Sequence, residues 1–103
     1  MSTPHSVPTR ESISEIQAQI ANESLQLELE RQRLTVMETF PLPRASYDRR
    51  QQQKREQEAS RREQSRQKIA NIERNIRALR HSLRSYENRL KESEEAAQHL
   101  HFG

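Results

Sequence analysis

Residues 69–100, IANIERNIRALRHSLRSYENRLKESEEAAQHL, decide the fold of this chain. Ile69, Ile72, Ile76, Leu79, Leu83, Tyr86 and Leu90, followed by Ser93, Ala97 and Leu100, recur in alternating steps of three and four. On a helix this spacing draws one narrow apolar stripe, and a helix carrying such a stripe needs another helix to cover it. The segment therefore reads as one strand of a coiled coil, with Ile69 to Leu90 as an oligomer interface.

Working outward, composition limits the alternatives. The chain has 103 residues, of which 30% are apolar and 32% charged, and its single glycine is Gly103. A globular domain of this length is nearer half apolar, so an all-α, elongated coiled coil is the expectation. Strands have little support, with two valines and no alternating run. No cysteine is present, which excludes disulfides and thiolate chemistry in this sequence. No stretch has the roughly 18 apolar residues of a membrane span, and Met1–Thr9 lacks the apolar run of a secretory signal. The default reading is a cytoplasmic protein, or a nuclear one in a eukaryote, with no membrane contact.

Prolines punctuate the rest. Pro4 and Pro8 mark a flexible tail over 1–11, and Pro41 and Pro43 make a hinge of 40–45. A first helix over 12–40 starts at Ser12, which has capping-box spacing to Glu15, or at Thr9. A second starts at Ser46 with Asp48 in its first turn and divides into a basic, polar part (46–68) and the heptad part (69–100), leaving 101–103 as a tail. Helix one has its own packing row, Ile13, Ile16, Ile20, Leu27, Leu34 and Met37, with Glu23 and Glu30 at the matching positions between. Leu25 and Leu29 lie on a different side, so this helix presents more than one face.

A hairpin folded at residue 43 would set Leu34 against Gln52, Leu27 against Ala59, Ile20 against Arg66 and Ile13 against Glu73. That register lays the apolar row of helix one on the most polar part of the chain, where unpaired arginines are costly to bury. A homo-oligomer, most simply a dimer through Ile69–Leu100, satisfies the sequence better. Parallel and antiparallel pairings are equally allowed.

Charge is unevenly distributed. Residues 1–46 carry four basic and six acidic side chains, whereas 47–68 carry eight and four. Arg49, Arg50, Lys54, Arg55, Arg61, Arg62, Arg66 and Lys68 are candidate phosphate-contacting residues. Their order, ahead of a heptad run, is similar to that of the basic leucine zipper transcription factors. The asparagine and closely spaced arginines that read bases in that family are missing here, and Glu56, Glu58 and Glu63 interrupt the basic face, so no base-edge contact is assigned. A solvated helix laced by pairs such as Glu58 with Arg62 is the plainer account.

Catalytic readings have little to stand on. His5, His81, His99 and His101 form no ligand pair on one helical face, and there is no glycine-rich phosphate loop. No cofactor or metal is expected. Phe40-Pro41-Leu42-Pro43 offers either a docking motif or a cap on the helical core, and Leu100 and Phe102 pose the same choice. Three functions fit: a non-enzymatic structural or adaptor subunit that self-associates and docks on a larger protein partner, a dimeric nucleic-acid-binding accessory protein, and a small helical inhibitor or regulator of another macromolecule.

Overall fold

A computed structural model describes residues 9–45 and 47–102, with the side chains of residues 99–102 left out of the description. The described residues are mainly helical, in the order α1 (Arg10–Thr39) and α2 (Arg49–Phe102). No described helix is long and apolar enough to cross a membrane. The tail at 1–8, with Pro4, Pro8 and His5, the expected cap Ser46, and the side chains of His99, Leu100, His101 and Phe102 lie outside the described residues.

Both helices begin at side-chain caps. Thr9 is the first: its Oγ1 accepts the backbone N–H of Ser12 at 3.1 Å while its carbonyl accepts that of Ile13 at 3.1 Å. Asp48 caps α2, with Oδ1 accepting the Arg50 N–H at 3.0 Å and its carbonyl that of Gln52 at 3.0 Å. α1 stops at Thr39 because Pro41 has no N–H to donate and its ring disfavours helical geometry at Phe40. The helix therefore ends on a tightened turn in which the Phe40 N–H reaches the Met37 carbonyl at 3.3 Å.

The chain forms two compact units, residues 24–74 and residues 1–23 with 75–103. Residues 24–74 form an antiparallel hairpin. Arg31 pairs with Glu73 at 3.7 Å and Glu38 with Arg66 at 3.3 Å. Going seven residues forward along α1 thus goes seven residues back along α2. The heptad alignment that also brings Ser65 and Lys68 to Glu30 layers Leu27 with Ile72, Glu30 with Ile69, Leu34 with Ser65 and Met37 with Arg62. Ile72 is buried and Leu27, Leu34, Met37 and Ile69 are half-buried.

The other unit is built on the same heptads. Arg10 reaches Glu94 at 3.4 Å, a pair three heptads from Arg31 and Glu73 on each helix. This register layers Ile13 with Tyr86, Ile16 with Leu83, Ile20 with Leu79 and Glu23 with Ile76. Ile76 is buried and the rest are half-buried. The guanidinium of Arg89 lies 5.7 Å from the Tyr86 ring centre, over its face.

This register corrects the hairpin expected from a fold at residue 43. Leu34 is layered with Ser65, thirteen residues beyond Gln52. The reason is the link: Phe40 is a bend and residues 41–45 have no regular structure, and Pro41 and Pro43 push Phe40 and Leu42 to extended geometry. Arg62 Nη2 donates to the Phe40 carbonyl at 2.6 Å, and Arg55 Nη1 to the Pro43 carbonyl at 2.7 Å. Three extended residues, at about 3.3 Å each, cover about 10 Å. Seven helical residues, at about 1.5 Å each, cover the same distance. The link therefore continues the course of α1 along α2 for two further turns before the chain reverses, so that in the 24–74 unit Leu27 and Glu30 reach Ile72 and Ile69 while Leu34 and Met37 lie beside Ser65 and Arg62.

Candidate interaction surfaces

The polar part of α2 keeps the same heptad as the apolar part. Arg55, Glu58, Arg62 and Ser65 continue the row of Ile69, Ile72 and Ile76. Proline supplies no N–H, and an extended link makes no ladder of its own, so its carbonyls need donors from elsewhere. Arg55 and Arg62 supply them. Arg62 is buried, and its Nε also reaches Glu58 Oε1 at 3.4 Å, so the guanidinium is enclosed with partners on two sides.

Glu30 is the buried carboxylate of the seam, 6% exposed. Ser65 donates to its Oε1 at 2.8 Å, while Lys68 Nζ and Arg33 Nη1 lie 3.5 and 3.6 Å from its Oε2. The Ser65 hydrogen bond is the main cause of a carboxyl held below its usual range. Lys68 and Arg33 act in the same direction, against the penalty of burial. No buried side-chain nitrogen or oxygen among the described residues lacks a partner.

The eight expected phosphate-contacting residues divide in two. Arg55 and Arg62 hold the link, Arg66 is shared between Glu38 and Glu63, and Lys68 faces Glu30. Arg49, Arg50, Lys54 and Arg61 are exposed, and among the described residues their side chains have no carboxylate within ion-pair distance. Lys54 and Arg61 lie one heptad apart and line an open groove with Val36, Phe40 and Pro41.

The expected oligomer-interface residues, Ile69, Ile72, Ile76, Leu79, Leu83, Tyr86 and Leu90, fall on the side of α2 that faces α1. The expected helix-one row, Ile13, Ile16, Ile20, Leu27, Leu34 and Met37, falls on the facing side of α1. Apolar surface is left elsewhere. Leu25, Leu29 and Val36 are 57%, 50% and 61% exposed, and Phe40 at the helix end is 65% exposed. At 100° per residue the three helical members cluster about 140° round α1 from Leu27, Glu30, Leu34 and Met37. α1 is therefore apolar on two opposed sides. Reasoning from sequence placed Leu25 and Leu29 on a separate face but missed Val36, which completes it at seven residues from Leu29.

In comparisons with known proteins, no family model matches this chain, and no curated protein or solved structure matches it either.

Proposed function

We propose that this chain is a non-enzymatic interaction subunit, a structural or adaptor protein that self-associates and docks on a larger protein partner through the side of α1 turned away from α2. The observation that carries this reading is the exposed row Leu25, Leu29 and Val36 on a helix whose opposite side is already packed. Exposed apolar residues scattered singly are ordinary, but a row in heptad register is what one helix offers another. The seam within the hairpin leaves this row free to act without unfolding the chain.

The test uses the full chain and its Leu25→Glu and Leu29→Glu variants as immobilised bait in a cell extract of the source, with bound proteins quantified. A defined partner set that is lost with both variants, at unchanged helicity, supports the adaptor. Identical capture by all three proteins defeats it.

Dimeric nucleic-acid binding is the second reading, favoured by Arg49, Arg50, Lys54 and Arg61, which are exposed and without carboxylate partners among the described residues. It calls for an affinity for duplex DNA that falls steeply with salt and is nearly indifferent to sequence.

A further inference from the structure

We propose that the outer row of α1 takes the same row of a second copy, parallel and in register, so that two hairpins join through their first helices. This rests on the adaptor reading and names the first partner of its docking face.

Spacing makes the row a second heptad seam. Leu25, Leu29, Gln32 and Val36 follow one another at four, three and four residues, so Leu29 and Val36 occupy one core row and Leu25 and Gln32 the other. A β-branched valine in the first row with leucine in the second suits a two-stranded assembly. All four residues lie in α1 within the 24–74 unit, about 140° round the helix from the seam row, with Val36 also bordering the groove that Lys54 and Arg61 line.

Charge complementarity selects both the partner and its direction. Glu28 immediately precedes Leu29 on one flank of the row, and Arg33 immediately follows Gln32 on the other. The two are five residues apart, the offset at which opposite flanks meet across a parallel pair of helices. Glu28 of each copy then faces Arg33 of the other, giving two symmetry-related ion pairs. Within one chain Glu28 accepts only the Gln32 amide, at 3.3 Å, and has no cation partner among the described residues. The Arg33 side chain is 64% exposed, with its guanidinium 3.6 Å from Glu30. In an antiparallel pair the same flanks would bring Glu28 to Thr35 and, at the offset of Arg31 and Glu73, Arg33 to Arg33 of the other copy, which offer no opposite charge.

Gln32 makes the same choice by another route. In the parallel register its amide faces the Gln32 amide of the second copy and the two hydrogen-bond to each other. In the antiparallel register each amide would lie against Leu29, and a polar group buried there without a partner carries a penalty. One polar residue in an otherwise apolar seam is a known determinant of register and strand number.

Sedimentation equilibrium on the full chain tests association, and engineered cysteines test direction in a protein that has none of its own. We expect a concentration-dependent dimer, with Leu25→Glu and Val36→Glu each weakening it roughly tenfold or more at unchanged helicity. Glu28→Arg and Arg33→Glu should each weaken it, and the double exchange should restore it. Under mild oxidation Leu25→Cys should form a disulfide with itself. A dimer unaffected by Leu25→Glu and Val36→Glu overturns the proposal, as does a disulfide formed only between mixed Leu25→Cys and Val36→Cys chains. A chain that stays monomeric at its highest soluble concentration also overturns it. If that monomer still captures a protein partner lost with Leu25→Glu, the adaptor reading survives; if Leu25→Glu changes neither measurement, both fall.

Discussion

Ser65 donates its hydroxyl to Glu30 Oε1 at 2.8 Å, joining two residues 35 positions apart in the chain. This bond lies inside the seam, between the layers of Leu27 with Ile72 and Met37 with Arg62. It is a polar contact that only one alignment of the two helices can make. Serine is small enough to leave room for a carboxylate at a core position, and Lys68 and Arg33 at the edge keep that carboxylate charged.

Replacing Ser65 by Ala removes the donor and leaves the buried carboxylate short of one partner. We expect a loss of about 1–3 kcal/mol in unfolding free energy at neutral pH, seen as a lower thermal midpoint by circular dichroism.

Glu30 also sets a pH dependence. Its carboxyl is held below the usual range in the folded chain, so the folded state binds fewer protons than the unfolded one in acid. Its stabilisation is complete above the unfolded carboxylate value and is lost as pH falls through the depressed folded value. The stability difference between the native chain and Glu30→Gln should therefore be largest near neutrality and shrink in acid. A difference that stays constant from pH 7 down to pH 2 would contradict this.

Arg62→Met keeps most of the aliphatic packing while removing the donor to the Phe40 carbonyl. A charge-assisted bond in a buried position is expected to cost about 1.5–3 kcal/mol when lost. Exchange of the amides in residues 40–45 should accelerate more than that of the helix centres, since the link loses its anchor first.

Arg31 with Glu73 and Glu38 with Arg66 are solvent-exposed pairs, and each is worth at most about 1 kcal/mol. Arg31→Glu should destabilise by that order and Arg31→Glu with Glu73→Arg should recover most of it. Both effects should fade with added salt.

The register itself is open to a direct check. Leu27→Cys with Ile72→Cys should form an intramolecular disulfide readily, and Leu27→Cys with Ala59→Cys should not. The opposite result would restore the fold at residue 43.

What the sequence discloses and what it hides follow from the range of the forces involved. Helix type is legible in composition and spacing and matches the structure; the rows of both helices, with Glu23 and Glu30 between, fall at buried and half-buried positions, but spacing alone assigns the Ile69–Leu90 row to a second copy and not to α1. Thr9 is one of the two starts the sequence allows for α1, whereas α2 is capped by Asp48, which sequence alone places inside the first turn of a helix begun at Ser46. Register was hidden because it depends on the course of Phe40 to Pro43 along α2, and an extended residue advances the chain more than twice as far as a helical one. The polar part of α2 misled for a related reason. Arg55 and Arg62 look like solvated or phosphate-seeking cations until the link is seen to place bare carbonyls beside them.

Insertions and deletions are usually best tolerated in the connection between two helices. Here that connection is a ruler. Its length is measured in extended residues and is read against an arm measured in helical turns. One residue more or fewer between Phe40 and Pro43 shifts the reversal by about 3.3 Å along α2, more than half a helical turn, and carries the seam rows of the 24–74 unit out of phase. A loop that in most hairpins is free to drift in length is, in this chain, held to the same discipline as the helices it joins.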